Sequence, residues 1–161
     1  MRRYIIIGGG ADLTGRGMGE QIDAGLFGEV VRVNKPYGAP EDVGRRLDVL
    51  VTRWPEWVPV YFPGSLVVQR RVVLNVFDGF TAEEYEAARR EVGWQNVSAG
   101  LLACCWALNR GARQVFAIGF GYRRGQGWPG QKMYPDGTLD PNPNYNWPAE
   151  NRWLENNVTL L

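Results

Sequence analysis

Apolar positions fall along this chain in short β-branched runs stopped by glycine, and in longer runs opened by a hydroxyl or proline residue. Residues 4–7 (Tyr4, Ile5, Ile6, Ile7) run without a polar break into Gly8, Gly9 and Gly10, the pattern of a strand buried on both faces. Residues 29–34 repeat it, and residues 17–24 between them fit a short helix. Strand, glycine turn, helix, strand is the opening βαβ unit of a nucleotide-binding sheet. Residues 47–52 and 72–76 predict two further strands, and residues 57–62, among prolines 55, 59 and 63, a weaker extended piece.

The second half alternates helix and strand. Thr81-Ala82-Glu83-Glu84 matches a capping box and opens a helix to about residue 92, because the Thr hydroxyl and the Glu carboxylate satisfy free amides of the first turn. Ser98 opens another over residues 98–109, apolar on all sides and so deeply buried. Gly111 stops it, and residues 114–118 return as a strand. Residues 119–146 are rich in Gly, Pro, Asn, Asp and aromatic residues with little periodicity. A connection of that length is usually functional or disordered, and its rings argue against full disorder. Tyr122, Trp128, Tyr134, Tyr145 and the adjoining Trp147 predict either a stacking lid or rings packed onto the sheet. Pro148 then sits in the first turn of a terminal helix over residues 148–157. The fold class is α/β: a Rossmann-like, mostly parallel sheet with flanking helices, in a single domain spanning residues 1–161.

Composition removes several chemistries. The chain has no histidine, so the commonest general base, the usual catalytic zinc sites and every Ser-His or Cys-His device are absent. Net charge is +1, below the basic excess of a dedicated DNA binder; a nucleic-acid partner is not implied. Cys104 and Cys105 are adjacent in an apolar segment, and helix neighbours point about 100° apart, so both are expected as buried thiols. The apolar run after Arg2-Arg3 ends at Gly8, short of a signal-peptide core of about 7–15 residues. No run approaches the roughly 20 apolar residues of a membrane span. The expected location is cytoplasmic.

The glycine turn fits neither standard nucleotide motif in strict form. Gly8 and Gly10 match the dinucleotide pattern but Leu13 holds its third glycine position; Gly10 and Gly15 have P-loop spacing but Arg16-Gly17 stands where Lys-Ser/Thr belongs. The physical logic remains that glycines after a strand let backbone approach a ligand and a following helix offers its N-terminus to an anion. The alternative is a tight turn with no ligand.

Several blocks, taken in order, resemble one family. Gly8-Gly9-Gly10-Ala11-Asp12-Leu13, Gly19-Glu20-Gln21-Ile22-Asp23 and Arg32-Val33-Asn34 resemble the large motif of the sialyltransferases of glycosyltransferase family 29, and Asp42-Val43-Gly44 its D-V-G. Ser98-Ala99-Gly100-Leu101-Leu102 is similar to the small motif, and residues 115–121 to the strand that follows, ending Gly119-Phe120-Gly121. Tyr145 to Glu150 falls where the family has its very small motif, H-x-x-x-x-E. The resemblance implies a sialyltransferase-like variant of the GT-A fold and metal-independent, inverting transfer from a CMP-sugar, or a related nucleotide sugar, to the hydroxyl of an unidentified acceptor. It implies no cofactor and no metal site, and the chain indeed has no Asp-x-Asp.

Carried over residue by residue, the nucleotide contacts are expected at Gly8, Gly9, Gly10, Asp12, Asn34, Ser98, Ala99, Gly100, Gly119 and Gly121. Gly9 and Asp12 stand where the family has asparagines. Read on their own, Asn34 is also a turn asparagine and Ser98 also a plain helix cap. The family's histidine base is replaced by Tyr145, a phenol with an ordinary pKa near 10 and so a poor base at neutral pH. Asp136 and Asp140 are the other candidate catalytic groups. Two further readings stand beside the transferase: a nucleotide-binding module that has lost its base, and an unrelated Rossmann-like enzyme.

Overall fold

The computed structural model describes residues 2–34, 37–52, 72–75, 81–93, 96–121 and 145–161. Its strands are β1 (Arg3–Ile7), β2 (Glu29–Val33), β3 (Val49–Thr52), β4 (Val72–Asn75), β5 (Gln114–Ile118) and β6 (Thr159–Leu160). Its helices are α1 (Gly19–Asp23), α2 (Pro40–Val43), α3 (Ala82–Val92), α4 (Ala99–Asn109) and α5 (Trp147–Asn157), with a 3-10 turn at Ala11–Leu13. The six strands form one sheet in the order β4-β3-β2-β1-β5-β6, and all five neighbouring pairs are parallel.

The unbroken apolar runs of β1 and β2 are explained by burial on both faces. Alternate residues of a strand point to opposite sides. Accordingly Tyr4, Ile6, Val31 and Val33 pack with Leu101, Leu102 and Trp106 of α4 and Trp153 and Leu154 of α5. Ile5, Ile7 and Val30 pack on the other side with Leu13, Ile22 of α1 and Val43 of α2. Helices therefore cover both faces, as a parallel sheet requires. This is the predicted α/β arrangement, Rossmann-like in its layers.

Local signals set the helix ends. Thr81 Oγ1 accepts from Glu84 N at 3.1 Å while Thr81 N donates to Glu84 Oε2 at 2.9 Å, the reciprocal capping box. Gly93 closes α3 in the left-handed conformation, φ 63°. Helix α4 is buried along most of its length, and α5 starts one residue earlier than Pro148 because the Asn146 side chain caps it through Ala149 N.

The structure also differs from the sequence reading. Strand β2 stops at Val33, because Asn34 turns into the left-handed region at φ 64°. The four-residue α2 and the two-residue β6 had no counterpart in the periodicity. The extended piece predicted at residues 57–62 and most of the long connection (122–144) lie outside the described residues.

Sheet order determines where a site can form. The chain steps outward from β1 through β2 and β3 to β4, then returns across the sheet to lay β5 on the other side of β1. Helices α1 and α2, which follow β1 and β2, cover one face, and α5, which comes after β5, the other. The winding therefore reverses at β1 and β5, where a crevice lies at their carboxyl ends. In open α/β sheets ligands collect at such a reversal.

Candidate functional site

The turn after β1 and the turn after β5 meet at that crevice. Gly8 N donates to Ile118 O at 2.8 Å, and Gly10 N to Gly119 O at 2.6 Å. Asp12, 4 % exposed, ties the two turns further: its Oδ2 accepts from Gly119 N at 2.9 Å and its Oδ1 from Gly121 N at 2.6 Å. Arg16 Nε donates to the Asp12 carbonyl at 2.6 Å, and its guanidinium lies 3.6 Å from the carboxylate. Glycine is required here by close approach. A Cβ on Gly8 would collide with the carbonyl oxygen of Gly119, and one on Gly10 would lie 2.5 Å from Gly121 N. The amides of Gly8, Gly10, Gly119 and Gly121 are all donated within the protein, so what these glycines supply is contact between two loops. Gly9 lies under the ring of Tyr37.

A second junction is built by α4 and α5. Ser98 caps α4, its Oγ accepting from Leu101 N at 3.1 Å. The same Oγ donates to Glu150 Oε2 at 2.6 Å, and Ser98 N donates to Glu150 Oε1 at 2.8 Å. Glu150 is 2 % exposed. The positive end of α4 is thereby matched by a carboxylate from α5. Two blocks 52 residues apart in the chain are joined in this way. Gly100, the second residue of α4, faces the ring of Phe120, and Ala99 is buried in the core beneath.

Between the two junctions lies a recessed cavity of about 20 Å³, lined by Gly8, Val33, Ser98, Gly100, Phe120, Trp147, Glu150, Asn151 and Leu154. That volume admits one water or one small functional group. Of the predicted nucleotide contacts, Gly8, Ser98 and Gly100 line this cavity directly. Gly10, Asp12, Gly119 and Gly121 form the loop junction beside it. Asn34 follows the lining residue Val33 and bonds Val51 O through its own amide at 2.8 Å. The chain matches no protein-family model and no curated protein.

The candidate catalytic groups divide. Tyr145 forms an isolated bridge with Asn96, and its ring centroid lies 5.0 Å from that of Trp147, a lining residue of the cavity. Asp136 and Asp140 lie outside the described residues.

Behind the crevice, charged groups are spent on backbone. Asp42 Oδ1 accepts from Gly17 N at 2.9 Å and Oδ2 from Gly15 N at 3.0 Å, and these bonds hold its carboxyl below the usual range. Arg32 is buried and donates to the carbonyls of Arg46, Val43 and Gly44 at 2.8, 3.0 and 2.7 Å. Burial lowers its pKa to about 10, so it stays charged at neutral pH. Burial also pushes the Cys104 thiol well up and Cys105 to about 12. Both cysteines are free; Cys104 is buried as expected, whereas Cys105 is only half-buried at the edge of the core.

Sequence reasoning placed Trp147 among the rings of a stacking lid but missed Asn151 as a lining residue, and it noted Glu150 without giving it a partner. Glu150 stands at the acidic position of the block that resembles the very small motif, but its partner Ser98 lies 52 residues away in the chain. Asn151 carries no signal of its own, because its position depends on how α5 sits against α4.

Proposed function

We propose that the chain binds a nucleotide sugar in the crevice between β1 and β5 and transfers its sugar, with inversion, to an acceptor hydroxyl, in the manner of the sialyltransferase-like enzymes its motif blocks resemble. The observation that carries the reading is the Ser98–Glu150 pair. The blocks resembling the small and very small motifs meet there, beside Gly8 of the block resembling the large motif, at the sheet's reversal point.

In this reading the acceptor oxygen forms a bond to the anomeric carbon as the bond from that carbon to the nucleotide phosphate breaks. The phosphate leaves with the electron pair, and the acceptor proton passes to Tyr145, to Asp136 or Asp140, or to solvent. The donor is a CMP-sugar or a related nucleotide sugar. No metal or cofactor takes part, as the resemblance implies.

The test is release of CMP and labelled sugar from CMP-sialic acid and a panel of other nucleotide sugars, with and without simple glycoside acceptors. Turnover of at least one donor is the expected result, and a fall of at least about tenfold in Tyr145→Phe would assign the proton to Tyr145. Nucleotide binding with no turnover on any donor would reject transfer. It would support the second reading, a nucleotide-binding module, which the lack of any histidine in the chain favours.

A further inference from the structure

Asn151 is a buried polar group without a partner. It is 7 % exposed, its Nδ2 makes no hydrogen bond, and it lines the cavity at the reversal point. Buried amides are nearly always satisfied, and one left open marks a place where something else completes the bond. The first turns of α5 show how its neighbours differ: Asn146 caps the helix, and Glu150 receives Ser98. Asn151, next along the same helix, is held at the cavity wall with no such duty.

The walls narrow what that something is. Among the described residues the lining carries one carboxylate, Glu150, and no lysine or arginine. A phosphate or carboxylate entering it would meet like charge with no cation among the described lining residues to offset it. Phe120 and Trp147 add apolar ring surface, suited to a flat heterocycle. The volume of about 20 Å³ takes one projecting group, not a whole ring. A neutral acceptor on a planar ligand meets all four conditions.

We infer that Asn151 is the base-reading residue of the site, donating from Nδ2 to a carbonyl oxygen or ring nitrogen of a nucleotide's base while the phosphate stays outside the cavity. The inference rests on the nucleotide-binding reading above and adds to it the residue that recognises the base. A single buried water would satisfy the same donor, and the two occupants respond differently to loss of the amide. A base-reading amide is dispensable for folding and needed for binding.

The experiment compares the full-length chain with Asn151→Leu and Asn151→Ser. Leucine keeps the branching of asparagine, and serine keeps the fold safe from overpacking. Calorimetry measures binding of cytidine monophosphate and of ribose 5-phosphate, which lacks a base, and thermal melts are recorded without ligand. The expected result is cytidine monophosphate binding weakened about tenfold in both variants, an unchanged response to ribose 5-phosphate, and at least one variant melting no lower than the wild type. Equal nucleotide binding in wild type and variants overturns the inference and leaves a water site, with the nucleotide reading intact. Melting temperatures lowered in both variants assign Asn151 a structural role and also overturn it. Absence of binding by the wild type to cytidine, uridine, adenosine and guanosine monophosphates rejects the nucleotide reading itself, and the inference with it.

Discussion

Replacing Glu150 with alanine removes both acceptors that join α5 to the start of α4. Ser98 N and Ser98 Oγ donate to the two carboxylate oxygens at 2.8 and 2.6 Å in a buried setting. A hydrogen bond to a charged group contributes about 1.5–3 kcal/mol, so losing two destabilises by about 3–6 kcal/mol. For a chain of this length that lowers the melting temperature by about 6–24 °C. Glu150→Gln is milder, about 1–2 kcal/mol, since its carbonyl still accepts from Ser98 N and its amide donates to Oγ. Ser98→Ala loses the cap to Leu101 as well as the bond to Glu150, and costs about 2–4 kcal/mol. The assay is chemical denaturation of the four variants in a double-mutant cycle between Ser98→Ala and Glu150→Ala. The Oγ–carboxylate bond predicts a coupling of about 1.5–3 kcal/mol. Single losses that sum to the double within about 0.5 kcal/mol would refute the reasoning, as would an alanine variant within about 1 kcal/mol of wild type.

Three further expectations concern other groups. Asp12→Ala leaves the buried donor of Gly119 and the half-buried donor of Gly121 unmatched, costs about 2–5 kcal/mol, and speeds hydrogen exchange of those two amides; unchanged exchange contradicts the loop junction. Asp42 has a depressed carboxyl pKa, held down by Gly17 and Gly15, so its stabilisation is present above the unfolded value of about 3.9 and is lost as pH falls through the lower folded value. The stability gap between wild type and Asp42→Asn, read from denaturant midpoints, should therefore be wide at pH 7 and shrink toward pH 3; a gap independent of pH argues against it. Cys104 and Cys105, with raised thiol pKa values, should resist a thiol reagent at pH 8 in the folded chain and both react in denaturant; rapid labelling of the native protein is the contrary result.

Much of this architecture is legible in the amino-acid sequence. The central strands announce themselves because burial on both faces leaves no polar residue in residues 4–7, and β5 keeps the bounds its pattern gives. Helix α3 was legible from one capping box, since Thr81 and Glu84 act on amides within their own turn. The candidate site was readable in which residues gather there, the glycines, Asp12, Ser98, Trp147 and Glu150, but not in what they bond. Asp12 reaches amides 107 and 109 residues away, and Asp42 reaches back 25 and 27. Those partnerships follow from strand order, and no local pattern encodes them. Strand β6 is two residues long and α2 is four, too short for any period to register. Asn34 ends β2 one residue early because an asparagine tolerates the left-handed conformation, a choice invisible to hydrophobic patterning.

The pairing of β1 with β5 sets residues 3–7 beside residues 114–118. Each half of the crevice is therefore written more than a hundred residues from the other, and Glu150 arrives later still. A chain emerging from the ribosome carries β1, β2 and α1 long before it can build the cavity, and until Gln114–Ile118 follows, one side of β1 is an open edge able to recruit a foreign strand. Closing so distant a contact is slow in folding, because loop entropy is lost before the contact is made. Capture of a ligand in this crevice would thus report not on a local motif but on a chain made through α5, separating such molecules from ones that stop short of it.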